Sequence, residues 1–176
     1  MRFEIPFDSK IYKKQIELLF KIEWEDIAKE NRKTLLYGIG SLLFSLFILY
    51  NEKYLGFVLF FSISLYFLIN YYIFFKLYTK TKDLIFKNME EIIIENKEIE
   101  NNSVWIFEND YFFNSFDGIE SKYNWNKFDR FEIIEDTLIT YFSKSSAHGF
   151  VISLEEIDKE KFDEIIYFIK TKLKKL

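Results

Sequence analysis

The sequence predicts an α+β membrane protein, with a two-helix transmembrane hairpin and a small antiparallel β-sheet domain closed by a C-terminal helix. Three observations carry that reading. Residues 34–51 and 54–75 are runs of 18 and 22 residues without Asp, Glu, Lys or Arg, separated only by Glu52 and Lys53. Residues 104–153 break into short segments of strand period, divided by turn dipeptides. From Phe162 onward the apolar residues return to steps of three and four, the spacing of a one-sided helix.

The N-terminal arm, residues 1–33, holds eight basic and seven acidic residues and is close to neutral. Phe3, Ile5 and Phe7 alternate with polar or Pro positions and predict a short strand, which Pro6 confines to a sheet edge. Asp8 or Ser9 is placed to cap a helix whose stripe runs through Tyr12, Ile16, Leu19, Trp24 and Ile27. Glu17, Glu23, Glu25, Asp26 and Glu30 make its polar face a poor match to anionic headgroups. The helix is therefore expected to pack on the cytosolic domain in preference to lying on a membrane.

The hairpin covers residues 34–75. At about 1.5 Å rise per residue the two runs reach roughly 27 and 33 Å as helices, against a hydrocarbon core of about 30 Å. A hairpin buried in a water-soluble protein would show polar residues at helical spacing along one face, and neither run does. Lys29, Arg32 and Lys33 precede the first run and Lys76, Lys80, Lys82 and Lys87 follow the second, whereas the loop has Lys53 alone. By the positive-inside rule this places both termini in the cytoplasm. With its first apolar run starting beyond residue 30, the chain shows no cleavable signal, and the first span acts as its own insertion signal. Tyr50 and Tyr54 mark the outer interface, and Tyr37, Tyr71, Tyr72 and Tyr78 the inner one. Gly38, Ser41 and Ser45 allow close helix approach, with the second helix favoured over another subunit as the partner. Asn70 reads as an interfacial or interhelical hydrogen-bonding residue, not a transport site.

Residues 76–102 read as a basic helical connector, with Ile85, Met89 and Ile92 at helical spacing; Ile92, Ile93 and Ile94 equally suit the opening of a strand. Residues 103–176 read as the sheet domain. Strands are expected at 104–107, 111–116, 120–125, 128–134, 137–142 and 150–153, with turns at Asn109-Asp110, Asp117-Gly118, Asn126-Lys127, Glu135-Asp136 and the Ser145, Ser146, Gly149 cluster. The closing helix sets Phe162, Ile165, Ile166, Ile169, Leu173 and Leu176 on one face to cover the sheet. Glu155, Glu156, Asp158 and Glu160 stand at its start, and Lys170, Lys172, Lys174 and Lys175 at its end, which suits the helix dipole. Trp125 and Phe128 are the structural candidates at the sheet corner, with Trp105 and Phe107 as further core residues.

This order of elements, with Tyr111 to Phe116, Asp117-Gly118, the stretch Tyr123 to Phe128, and Val151-Ile152-Ser153 leading to Phe162 and Ile166, resembles the YcxB-like membrane proteins. The family commonly shows an Ile-Pro step where this chain has Ile152-Ser153. The resemblance implies a multi-pass protein of the bacterial inner membrane with a pleckstrin-homology-like (PH-like) C-terminal domain. It implies no established activity, and so no catalytic residues.

Composition narrows the chemistry. With no Cys and one His, the chain has no disulfide, no thiol nucleophile and no Cys- or His-rich metal site. Ser145, Ser146 and His148 share one loop without a nucleophile-elbow glycine pattern, and Glu90-Glu91 and Glu155-Glu156 are adjacent surface acids. No cofactor-binding motif occurs. Residues 76–176 hold 15 basic and 20 acidic residues, which disfavours nucleic acid. The expected partners are the lipid bilayer and a membrane or cytosolic protein, with homo-oligomerisation open through Gly38, Ser41 and Ser45. The expected role is a non-catalytic, membrane-anchored interaction or scaffold module. The alternatives are an accessory subunit of a transporter or membrane enzyme and, less favoured, a membrane-surface enzyme.

Overall fold

A computed structural model describes residues 1–97, 102–116, 118–143 and 148–175. The elements are β1 (Arg2–Pro6), α1 (Ser9–Tyr50), α2 (Tyr54–Lys97), β2 (Asn102–Phe107), β3 (Tyr111–Phe116), β4 (Ile119–Asn124), β5 (Phe128–Ile134), β6 (Thr137–Phe142), β7 (His148–Ser153), α3 (Lys159–Lys172) and β8 (Lys174–Lys175). The chain is α+β, with two long apolar helices and two sheets. Met1–Ile16 and Glu90–Leu176 form one compact unit, and Glu17–Met89 a second.

In the helical unit, α1 and α2 are both long and apolar enough to cross a membrane. The turn between them is tight because α1 ends in a Schellman arrangement. Glu52 takes the left-handed conformation at φ 58°, its N–H donates to the Leu49 carbonyl, and the Lys53 N–H donates to the Ile48 carbonyl. The Ile92 to Ile94 segment, open between helix and strand in the sequence, lies within α2. At the other end of α1, Asp8 is the capping residue, its Oδ1 accepting from the Lys10 and Ile11 N–H groups at 2.7 and 3.2 Å. The expected stripe on α1 is only partly the packed face: Ile27 is exposed, while Gln15, Leu18 and Phe20 are buried.

The strands at Tyr111–Phe116, Phe128–Ile134 and Thr137–Phe142 have the limits expected from the turn dipeptides that flank them. What the sequence reads as one sheet is two, ordered β1-β2-β3-β4 and β7-β6-β5-β8. The break falls at Trp125–Lys127, a single 3-10 turn that takes the chain out of β4 and into β5. Among the described residues, β4 pairs only with β3, and β5 pairs with β6 and β8. The hairpin pairings are antiparallel; the two-residue β8 joins β5 in parallel. Lys174 and Lys175 therefore belong to a strand and not to the helix end. The helix stops at Lys172 because Leu173 turns extended, at φ −126° and ψ 154°, and buries its side chain. Leu176 and Asp117 lie outside the described residues.

β1 forms at the start of the chain and hydrogen-bonds to β2, with Phe3 opposite Trp105 and Ile5 opposite Ser103. As an edge strand it accommodates Pro6, which has no N–H to give. Phe3 and Ile5 are buried with Trp105, Phe107 and Phe112 in a core closed by Phe162, Ile165, Ile169 and Leu173 of α3 and its cap. The N-terminal strand is thus part of the sheet unit, although more than ninety residues separate it from β2.

Truncating Ile5 to Ala removes a buried side chain at 3 % exposure and should destabilise the sheet unit by about 2 to 4 kcal/mol. Denaturant unfolding of the full chain in mild detergent, followed by Trp fluorescence in a Trp24→Phe background, reads this directly. An unchanged midpoint would mean that β1 contributes nothing to the core.

Candidate functional site

Trp125, Phe128, Gly38, Ser41 and Ser45, the structural candidates from the sequence, each have a definite place. Trp125 lies at the corner between the sheets, 8 % exposed, with its indole N–H donating to the Glu108 carbonyl at 2.8 Å. Its ring stacks on Phe107 at 6.4 Å and 16°, and meets Phe128 and Phe168 at 5.7 Å each. Phe128 is also buried; it stacks on Phe142 at 5.1 Å and meets Phe150 at 5.7 Å. The corner is therefore a packed aromatic junction between both sheets and α3.

Its closeness depends on a glycine and a threonine. A Cβ on Gly149 would run into the Phe128 ring and lie 2.8 Å from Thr140 Oγ1, so the β7 backbone passes directly over the Phe128 ring. The β6–β7 ladder shifts register between Ile139 and Tyr141. There the fully buried Thr140 hydroxyl donates to the Phe150 carbonyl at 3.0 Å and accepts from its N–H at 2.8 Å, supplying the bonds the shifted ladder lacks.

In the helical unit, Gly38 faces α2. A Cβ there would lie 2.9 Å from Leu68, and its carbonyl accepts from the buried Ser64 hydroxyl at 2.8 Å. Ser45 is fully buried and bonds the Leu42 carbonyl of its own helix at 2.7 Å, while Ser41 is half-buried. Asn70 does not bridge the helices: its amide donates to the Tyr66 carbonyl one turn back, at 2.7 Å. His148 opens β7 with its ring 5.2 Å from that of Tyr141, and Ser145 and Ser146 lie outside the described residues. Among the described residues, no group of three or more His, Asp or Glu is placed to hold a metal ion.

A buried polar cluster in the sheet unit escaped the sequence reading. Gln15 Nε2 donates to Ser153 Oγ at 3.0 Å and to Glu156 Oε2 at 2.6 Å. The Ser153 N–H donates to the same carboxylate oxygen at 2.6 Å, and the Thr137 and Ser153 hydroxyls meet at 3.0 Å. Beside it, Lys14 and Glu155 form an exposed ion pair at 2.7 Å. Together these contacts fasten the first two turns of α1 to the corner between β7 and α3. The one available signal was Gln15, a polar residue between the apolar Tyr12 and Leu19 at helical spacing.

Burial pushes the Glu156 carboxyl above its ordinary value, and the Ser153 N–H and Gln15 amide pull it only part of the way back. Its stability contribution is therefore fully present below the ordinary glutamate value of 4.5 and is lost as pH rises through the raised folded value.

No protein-family model, no curated protein and no solved structure matches the chain.

Two outcomes follow from this geometry. Trp125→Ala should cost about 3 to 5 kcal/mol, and Trp125→Phe, which retains most of the ring but strands the Glu108 carbonyl, about 1 to 2. Unfolding midpoints of the full chain separate these values, and indistinguishable midpoints would remove Trp125 from the core. Glu156→Gln keeps an acceptor oxygen but no charge, so its stability relative to wild type should improve as pH rises from 4.5 through the raised folded value and then level off. A gap independent of pH would show that ionised Glu156 carries no burial cost.

Proposed function

We propose that the chain is an integral membrane protein whose α1–α2 hairpin crosses the bilayer, with both termini cytoplasmic. In this reading the sheet unit is a PH-like, non-catalytic module that binds or scaffolds other proteins at the inner surface of a bacterial cytoplasmic membrane. The observation that carries it is the exposure of the apolar runs. Only 11 % and 6 % of the most apolar windows of α1 and α2 are buried, whereas the core helix of a soluble protein would be mostly buried. Leu36, Leu43, Phe47, Leu55, Leu59, Ile69 and Ile73 are each more than half exposed. At roughly 1.5 to 3 kcal/mol for a fully buried side chain, seven such residues in water would forfeit on the order of 10 kcal/mol. That is comparable to the entire stability of a domain, about 5 to 15 kcal/mol. A hydrocarbon environment removes the penalty.

The β1–β2 pairing supports the orientation independently of charge. Both ends of the hairpin lead into one compact unit, so a hairpin that crosses a membrane returns to the side it left. The basic residues flanking the runs then select the cytoplasm as that side. The interaction role and the resemblance to the YcxB-like proteins belong to the same proposal. They are supported by the sheet-plus-helix unit and by the tightly packed, ring-filled core that occupies its interior.

The chain has no Cys, so single cysteines at positions 52 and 160 report topology without a background. An impermeant maleimide applied to intact cells should label position 52 and leave position 160 unlabelled until the membrane is permeabilised. Labelling of 160 but not 52 would overturn the orientation, and equal labelling of both before permeabilisation would overturn the spanning hairpin.

A further inference from the structure

The helical unit contains a cleft of about 470 Å³ between α1 and α2, within the usual range of about 300 to 1,000 Å³ for small-molecule sites. Its wall is aromatic. Phe20, Trp24 and Tyr78 form a triangle with ring centres 5.4 to 5.9 Å apart, a rigid surface with little rotamer freedom. Lys21, Lys29, Arg32 and Lys82 also line the cleft, against the carboxylates of Glu17 and Glu25.

These cations are not equivalent. Lys29 is held by Glu25 at 3.0 Å and Asp26 at 3.5 Å. Arg32 has no ion pair or hydrogen bond among the described residues, and Lys82 has only the Phe86 ring, 5.7 Å from its ammonium. Arg32 offers a planar fork suited to two phosphate oxygens, and Lys82 a second point charge. Two charges in one cleft without acidic partners among the described residues, against an aromatic wall, suit an anion attached to an apolar body.

The position along the helices says which anion. Arg32 precedes the first uncharged run by two residues, about 3 Å of helix, and Tyr78 follows the second by three, about 5 Å. The polar interface on each side of a bilayer is roughly 5 to 8 Å thick, so both fall at headgroup level, and Lys82 reaches it from one turn further out along its flexible stem. Leu36, one helical turn beyond Arg32 on the same face, is 67 % exposed and stands where an acyl chain would run.

We propose that this cleft binds the phosphate of an anionic phospholipid of the cytoplasmic leaflet, with Arg32 and Lys82 as the phosphate ligands and Trp24 and Tyr78 against the glycerol region. The inference rests on the membrane-spanning reading above. A soluble phosphate compound shares the anion chemistry but gains nothing from the adjacent apolar helix surface.

The test uses the full chain in phosphatidylcholine nanodiscs containing a few per cent phosphatidylglycerol, with bound anionic lipid counted by native mass spectrometry. The double variant Arg32→Gln/Lys82→Gln should lower affinity about tenfold or more. The control Lys76→Gln/Lys80→Gln removes the same charge beside the same span but outside the cleft, and should change affinity less than about threefold. Glu25→Gln releases Lys29 and should tighten binding, a direction that misfolding does not mimic. Equal losses in both double variants would reduce the effect to diffuse surface charge and overturn the site, as would no loss in either. Displacement of the lipid by millimolar glycerol phosphate would overturn the lipid in favour of a soluble phosphate. The cysteines at 52 and 160, read in intact cells as above, separate the two levels. If they fail to report a spanning hairpin, both proposals fall; if they report one and binding ignores the cleft, only this one does.

Discussion

The pairing of β1 with β2 is the constraint on which the rest of the architecture depends. Residues 2–6 hydrogen-bond to residues 102–106, so whatever lies between them must leave the sheet unit and return to it. Closing a flexible segment of that length would cost on the order of 4 kcal/mol in chain entropy. The chain avoids much of that by making the insertion stiff and self-returning, with helices of 42 and 44 residues joined through the Schellman turn at Glu52 and Lys53. The near-equal arm lengths follow from the same requirement, since a shorter return arm would leave β2 out of register with β1. Gly38 and the Ser64 hydroxyl hold the arms together on the turn side of their midpoints, where helix backbones in an apolar medium have close packing and hydrogen bonds to draw on but little hydrophobic force.

The sheet unit solves a different problem, that of building a core in about a hundred residues. It uses rings. Phe107, Phe112, Trp125, Phe128 and Phe150 meet one another at centroid distances between 4.4 and 6.4 Å, largely in edge-on or tilted contacts. Each ring buries far more surface per residue than an aliphatic side chain, which compensates for the small volume. Large rigid groups leave little tolerance for error. Gly149 must lack a side chain for β7 to cross Phe128, and Thr140 must carry a hydroxyl to satisfy the Phe150 backbone where the ladder slips. Trp125 links the two requirements: its ring fills the corner, and its N–H fixes the β2–β3 connection through Glu108.

Much of this was legible in the sequence because it is local. Turn dipeptides set the limits of β3, β5 and β6, the charge-free runs marked the two long helices, and the apolar steps of Phe162, Ile165 and Ile169 defined the buried face of α3. What was illegible is non-local. Nothing in Arg2 to Pro6 names Trp105 as the neighbour of Phe3. The division into two sheets turns on one 3-10 turn, and Asn126-Lys127 reads equally well as an ordinary hairpin turn. β8 was missed because two residues show no period, and the end of α3 depends on Leu173 finding the core. Gln15 is the residue that meets Glu156 and Ser153, whose proximity no spacing rule encodes.

The basic residues at the ends of the apolar runs illustrate how one pattern carries two levels of information. Read along the chain, Lys29, Arg32, Lys33, Lys76, Lys80, Lys82 and Lys87 form a single statistical signal, an excess over the lone Lys53 of the loop, and each counts the same. The three-dimensional arrangement makes them unequal. Lys29 and Lys33 are tied to acids on their own helix at 3.0 and 2.6 Å, contacts that are worth little at an exposed helix surface but occupy the charge. Arg32 lies between those two in sequence, yet faces the cleft with Lys82 and has no such partner among the described residues. Helical periodicity does this sorting: residues 29, 32 and 33 share one turn, and whether a charge meets a carboxylate three or four positions back is decided by Glu25, Asp26 and Glu30. Position 28 is Ala28, so Arg32 has no acid four residues before it. Its missing partner is therefore written in the sequence, and becomes meaningful only once α2 brings Lys82 and Tyr78 to the same cleft.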